Sequence, residues 1–243
     1  MTKHIPNFIT SLNLGSGFIS IIFALNGYPL IASWLILAAM VFDFCDGFAA
    51  RLLKAYSDVG KELDSLADVV SFGVAPAVII FTFLSGSMGI SGQIDVKALS
   101  AANCCLLLTP VLMPVLAAIR LAIFNNDETQ KDSFNGLASP ASALAVISLV
   151  LAKGYADSTI SNIILDSVTG NIALTIVLSL LMVSRLNMIS LKFHDLGLKE
   201  NWDKYLLILS IIFLIMFLGL KAAPLIIPIY IVISLISGLT TKH

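Results

Sequence analysis

Apolar residues run through this chain in long blocks separated by short polar breaks. Eight blocks stand out, near residues 8–26, 29–53, 61–85, 99–124, 137–153, 168–188, 204–220 and 223–239. Each approaches the roughly 20 residues that a helix needs to cross a bilayer. The pattern therefore predicts an all-α, polytopic membrane bundle with about eight transmembrane helices. The fifth block is short, and the seventh and eighth are joined by a tight turn, Lys221 to Pro224. The longest polar stretches, 86–97, 125–136, 154–167 and 192–203, are loop-sized, so no soluble domain is expected. No internal repeat is visible.

Composition supports the same class. Of 243 residues 58% are hydrophobic and only 12% charged, against roughly 25% charged in a soluble domain. The mean hydropathy is +0.98. A net charge of −1 leaves no basic footprint, so no nucleic-acid partner is expected. Cys45, Cys104 and Cys105 lack zinc or redox spacing. His4, His194 and His243 lack ligand spacing. The first apolar block reads as a membrane span rather than a removable leader.

Placing the N-terminus in the cytoplasm and alternating eight spans divides the basic residues unevenly. The cytoplasmic side receives Lys3, Arg51, Lys54, Lys61, Arg120, Lys131, Arg185, Lys192, Lys199, Lys204 and Lys242, and the far side only Lys97, Lys153 and Lys221. This bias predicts a cell (inner) membrane protein whose N-terminus and polar site face the cytoplasm.

Four aspartates interrupt the apolar blocks. Positions 43, 46, 47, 50 and 51 step by three and four and share one helix face; 60, 64 and 68 step by four and share a face of the next helix. A polar connection from Lys54 to Asp58 folds the two helices together and brings Asp43, Asp46, Asp64 and Asp68 to one place. A charged side chain deep in a bilayer costs roughly 2.5–3.5 kcal/mol on insertion scales. Like charges at close range also repel unless protons or cations neutralise them. Clustered carboxylates are hard oxygen ligands for Mg²⁺, Mn²⁺ or Ca²⁺. With Arg51 and two glycines beside them, they suggest metal-held phosphate. A solvated helix end with surface salt bridges and an intramembrane cation transporter remain open on spacing alone.

Residues 43–68 read DFCDGFAARLLKAYSDVGKELDSLAD. The segment resembles the signature of the CDP-alcohol phosphotransferases, D-x2-D-G-x2-A-R-x8-G-x3-D-x3-D, at every fixed position. The resemblance implies a six-helix catalytic core binding two divalent ions, Mg²⁺ or Mn²⁺. It also implies transfer of a substituted phosphate from a CDP-linked donor to an alcohol, with release of CMP. By the same resemblance Asp43, Asp46, Asp64 and Asp68 hold the metals, and Asp68 acts as general base. Gly47, Arg51, Ser57 and Gly60 fall in the donor site.

Further segments are similar to the branch of the family whose donor is CDP-diacylglycerol and whose acceptor is L-serine. The N-terminal PNFITSLNLGSG resembles that branch's P-N-x2-T-x2-N opening and places Asn7 and Thr10 at the donor site's mouth. IRLAIFNN, FNGLASPASA and SRLNMISLKF resemble three further stretches, with Ile123, Ala138 and Asn187 departing from the usual arginine, proline and tyrosine. Arg120, Asn125 and Arg185 are the candidates to hold the serine carboxylate. Glycerol 3-phosphate or an inositol phosphate is the alternative acceptor. The resemblance covers a core of residues 1–190 and leaves two additional C-terminal spans in 191–243. It carries with it membrane lipid as a partner and a possible homodimer.

Overall fold

A computed structural model describes residues 4–90, 99–126, 134–189, 197 and 201–240. Lys3, Lys97, Lys131, Lys192, Lys199, Lys242, His194 and His243 lie outside the described residues, as do residues 190–193 of the SRLNMISLKF segment.

The described chain is helical almost throughout. Helices α1 (His4–Leu25) and α2 (Pro29–Leu52) are followed by α3 (Asp58–Asp68), a π-helical turn (Val69–Val74) and α4 (Ala75–Ser87). Next come α5 (Ala101–Leu107), a 3₁₀ turn (Thr109–Val111), α6 (Leu112–Asn126), α7 (Ser139–Ala156), α8 (Thr159–Leu165) and α9 (Val168–Val183). Helix α10 (Trp202–Leu218), a 3₁₀ segment (Gly219–Leu225) and α11 (Ile226–Thr240) complete the chain. Two short strands, β1 (Phe134–Asn135) and β2 (Asn187–Met188), pair antiparallel.

Among the described residues six helical runs are long and apolar enough to cross a membrane, and α8 with α9, bent by 92°, form a broken span or a re-entrant loop. One of the six, Trp202–Gly238, is a hairpin rather than a single rod. The Ser237 hydroxyl donates to Asp203 Oδ2 at 2.8 Å, joining the start of α10 to the end of α11. Leu207 and Ile233 share a buried cluster, and Ile211 and Ile229 pack on it. The bond from Ser237 to Asp203 and the shared cluster of Leu207 and Ile233 define two antiparallel legs turning near residue 220. The described residues thus hold six or seven candidate spans where about eight were expected, because α8–α9 is sharply bent and α10 and α11, at 17 and 15 residues, form one hairpin.

The polar N-terminus is already helical from His4, so Asn7 and Thr10 belong to α1 itself. Many buried core residues are small: Ala24, Ala32, Ala39, Ala75, Ala117 and Ala143 are fully enclosed. Small side chains let helix backbones approach closely where lipid provides no hydrophobic drive. At Gly17 a Cβ would collide with Ser71 of the π-turn. Large apolar side chains cover the outside instead, among them Phe44, Leu209, Met216 and Phe217. Such a surface is stable against lipid and not against water. The protein is an integral membrane protein.

Candidate active site

The site is built by α1, α2 and α3. Helix α2 ends in a Schellman motif: Lys54 N–H donates to Arg51 O (3.3 Å) and Ala55 N–H to Ala50 O (3.0 Å), with Lys54 at φ 49°. The chain then reverses, and Ser57 caps α3 by accepting from Gly60 N–H at 3.0 Å. The turn predicted between Lys54 and Asp58 thus returns α3 alongside α2.

That reversal brings the carboxylates together. Each of Asp43, Asp64 and Asp68 offers an oxygen within 4.8 Å of the other two. Asp46 stands outside this triad, within electrostatic reach of all three. Asp46 and Asp68 are buried, and Asp43 and Asp64 half-buried. Among the described residues the only ion pair is Lys153–Asp166, which involves none of the four. Asp46 Oδ2 and Asp64 Oδ1 are enclosed with no hydrogen-bond partner. Four crowded carboxylates, two with orphaned oxygens and none ion-paired among the described residues, form a donor set suited to hard divalent ions.

Asp68 has one neutral neighbour that the sequence reading did not single out. Asn13, fully buried on α1, donates from Nδ2 to Asp68 Oδ1 at 3.4 Å. Its backbone carbonyl accepts from the Ser71 hydroxyl at 3.0 Å. The π-turn begins one residue after Asp68, a widening of the helix that often marks functional positions. The signal for Asn13 lay in the i, i+3, i+6 spacing of Asn7, Thr10 and Asn13.

A cavity of about 560 Å³ opens beside the acidic group. Asn7, Thr10, Asp43, Asp46, Gly47, Arg51, Ser57, Gly60 and Asp64 all line it, with Lys61 and Phe124. Every predicted donor contact therefore reaches one space. At Gly47 a Cβ would meet nothing within 4 Å, so the backbone stands open to a ligand. Gly60 differs: a Cβ there would lie 2.9 Å from both Asn7 Oδ1 and Ser57 Oγ. Gly60→Ala is expected to push the ends of Asn7 and Ser57 aside and weaken the α3 cap, lowering stability by about 1 kcal/mol or less because alanine's helix propensity offsets part of the loss, read as a lower thermal midpoint of the purified protein. An unchanged midpoint would remove the packing role.

A second cavity, of about 440 Å³, adjoins the first. Arg120, Ile123, Phe124, Asn135, Ser184 and Arg185 line it, and Phe124 lines both cavities. Arg120 is buried, its Nε has no partner, and it lies within electrostatic reach of Asp68. An enclosed guanidinium with an unmet donor is a ready site for an anion. The structure brings Arg120 and Arg185 together and leaves Asn125 aside. Asn125 Nδ2 donates to Ser65 on α3 at 2.8 Å, and its backbone carbonyl accepts from Lys61 Nζ at 3.0 Å. Asn135 and Ser184 were not read from the sequence. Gly136, at φ 78°, lets the β1 backbone pass against the carbonyls at the end of α9, where a Cβ would collide.

Residues 3–183 match the CDP-alcohol phosphatidyltransferase model. The chain belongs to the CDP-alcohol phosphatidyltransferase family. It is 33% identical over 214 residues to the CDP-diacylglycerol–serine O-phosphatidyltransferase of Helicobacter pylori, covering 86% of this chain and 79% of that protein. The Saccharomyces cerevisiae enzyme of the same name is 40% identical over 168 residues, 63% of this chain and 54% of that one. Archaetidylserine synthase of Methanothermobacter thermautotrophicus is 32% identical over 155 residues, 63% of this chain and 60% of that one. The match to the CDP-alcohol phosphatidyltransferase family takes in the acidic group and α1 to α9. It stops before Arg185, β2 and the α10–α11 hairpin.

Proposed function

We propose that this protein transfers the phosphatidyl group of CDP-diacylglycerol to L-serine, forming phosphatidylserine and CMP at the cytoplasmic face of the cell membrane. The observation that carries the reading is the pair of adjoining cavities: one beside the acidic cluster, the other holding Arg120 and Arg185, with Asp68 in reach of both. The relatives named as serine O-phosphatidyltransferases support the choice of acceptor.

In this reading the donor enters from the inner leaflet with its acyl chains still in lipid. Its diphosphate lies along Gly47 and Arg51. Asp43, Asp46, Asp64 and Asp68 would hold two divalent ions, Mg²⁺ or Mn²⁺. When bound, such ions neutralise the carboxylates and offset charge building on the phosphate oxygens. The serine carboxylate sits on Arg120 and Arg185 in the second cavity. Asp68 takes the proton of the serine hydroxyl. The oxygen forms a bond to the phosphorus nearest diacylglycerol, and the bond from that phosphorus to the bridging oxygen breaks. CMP leaves with the bridging oxygen and its electron pair. Neither cysteine nor histidine lines either cavity among the described residues, so direct displacement needs no covalent carrier from them.

The deciding experiment incubates purified protein with CDP-diacylglycerol and single acceptors and measures CMP. L-serine is expected to liberate CMP, with little release by glycerol 3-phosphate or inositol phosphate; the reverse order would overturn the acceptor. Arg185→Ala is expected to raise KM for L-serine by about tenfold or more, the loss of a charge-assisted hydrogen bond, and to leave KM for CDP-diacylglycerol within twofold.

A further inference from the structure

The α10–α11 hairpin lies beyond the family match, yet it reaches the wall of the second cavity. After α9 ends at Val183 the chain turns extended: Ser184 and Arg185 line the cavity, and Asn187 and Met188 form β2. One side of this segment is tied to the family core. Leu186 O accepts from Gly136 N–H at 2.8 Å, and β2 pairs with β1, which carries Asn135. The far end is tied to the hairpin. Ile189 N–H donates to Ser234 Oγ at 3.2 Å, and the Tyr230 hydroxyl donates to Ile189 O at 3.0 Å. Both backbone groups of one residue are thus met by two side chains of α11, four residues apart on one face.

A strand edge buried among helices needs partners for its N–H and C=O groups, since no water is there to supply them. The two hydroxyls stand where a third strand would otherwise be. Ser234 is 1% exposed and Ile189 7%, so this contact is sealed from solvent. Tyr230 also lies within electrostatic reach of Arg120, which lines the same cavity as Arg185.

We propose that the C-terminal hairpin is a positioning element for the acceptor site. Tyr230 and Ser234 fix the Ser184–Ile189 segment, and through it they set Arg185 and Asn135 against Arg120. Neither residue touches substrate. The inference rests on the reading of the second cavity as the acceptor site, and the test separates the two.

The experiment uses full-length protein in lipid nanodiscs, with CMP release measured against L-serine and against CDP-diacylglycerol. Tyr230→Phe removes a hydroxyl at constant volume, and Ser234→Ala and Ser234→Thr respectively remove and keep one. The double variant Y230F/S234A is expected to raise KM for L-serine by about tenfold, as for buried hydrogen bonds left unmet. KM for CDP-diacylglycerol and kcat should stay near those of the parent protein, while the thermal midpoint falls because two buried backbone groups are left unmet. Ser234→Thr should restore the serine KM when set in place of Ser234→Ala. The positioning role is overturned if the serine KM is unmoved while Arg185→Ala raises it. It is equally overturned if both KM values rise and kcat falls together, which would make the hairpin a general support. If Arg185→Ala itself leaves the serine KM unchanged, the acceptor site lies elsewhere and the inference is lost with that reading. Tyr230→Phe alone serves where the double variant does not fold, with a serine-specific rise in KM still required.

Discussion

Asp68→Asn is expected to lower CMP release by about 10²–10⁴-fold, the usual contribution of a positioned general base. Binding of CDP-diacylglycerol should be largely retained. The substitution preserves shape, keeps an oxygen that can accept from Asn13 Nδ2 and gains an amide that can donate to the neighbouring carboxylates, but it leaves no group able to accept the hydroxyl proton. The geometry favours Asp68 over its three neighbours for this task. Asp43, Asp46 and Asp64 line the donor cavity directly. Asp68 is instead the carboxylate that Asn13 holds and that Arg120 of the second cavity feels. On the proposed function this places it between donor and acceptor. Single-turnover CMP release together with equilibrium binding of a labelled donor checks both halves. Near-normal turnover would remove the base assignment, and loss of donor binding would show that Asp68 serves chiefly as a ligand.

The acidic site was legible because its signal is local and chemically improbable. Carboxylates at i, i+3 and i+4 within apolar helices fix a shared face, and the Lys54–Asp58 break leaves room for one reversal only. The acceptor side was less legible because it depends on contacts across the chain. Arg120, Ile123 and Phe124 are spaced three and four apart and line one cavity. Asn125, five residues from Arg120, is turned about 140° around the helix and meets Ser65. Asn135 and Ser184 arrive through a pairing of two residues per strand, too short for any period to announce. The π-turn in VVSFGV also leaves no mark, since those residues read as ordinary apolar helix. The apolar blocks marked the membrane segments, but the hairpin's hold on the chain after α9 lay in two hydroxyls at 230 and 234 whose partner is a backbone 41 and 45 residues away.

Removing divalent cations is expected to abolish CMP release, with Mg²⁺ or Mn²⁺ restoring it; undiminished turnover in excess chelator would contradict the metal role. Asp43→Ala should show the same loss without rescue, since a carboxylate of the triad is gone. Stability should move in the opposite direction. Without ions the parent protein must keep four carboxylates crowded in a largely enclosed site, with no ion-pair partner recorded among the described residues. Each buried charge left uncompensated is destabilising, and like charges add repulsion. Asp43→Ala removes one of the four, so in chelator its thermal midpoint should exceed that of the parent protein, by an amount matching about 1 kcal/mol or more. Added Mg²⁺ should then raise the midpoint of the parent protein and leave the variant nearly unmoved, because a ligand that binds only the folded state stabilises in proportion to its occupancy. Sites built for function often carry such strain in their empty state. A variant that is less stable than the parent protein in chelator would mean that Asp43 is a structural group. The acidic cluster would then be held by hydrogen bonds within the fold rather than waiting for ions.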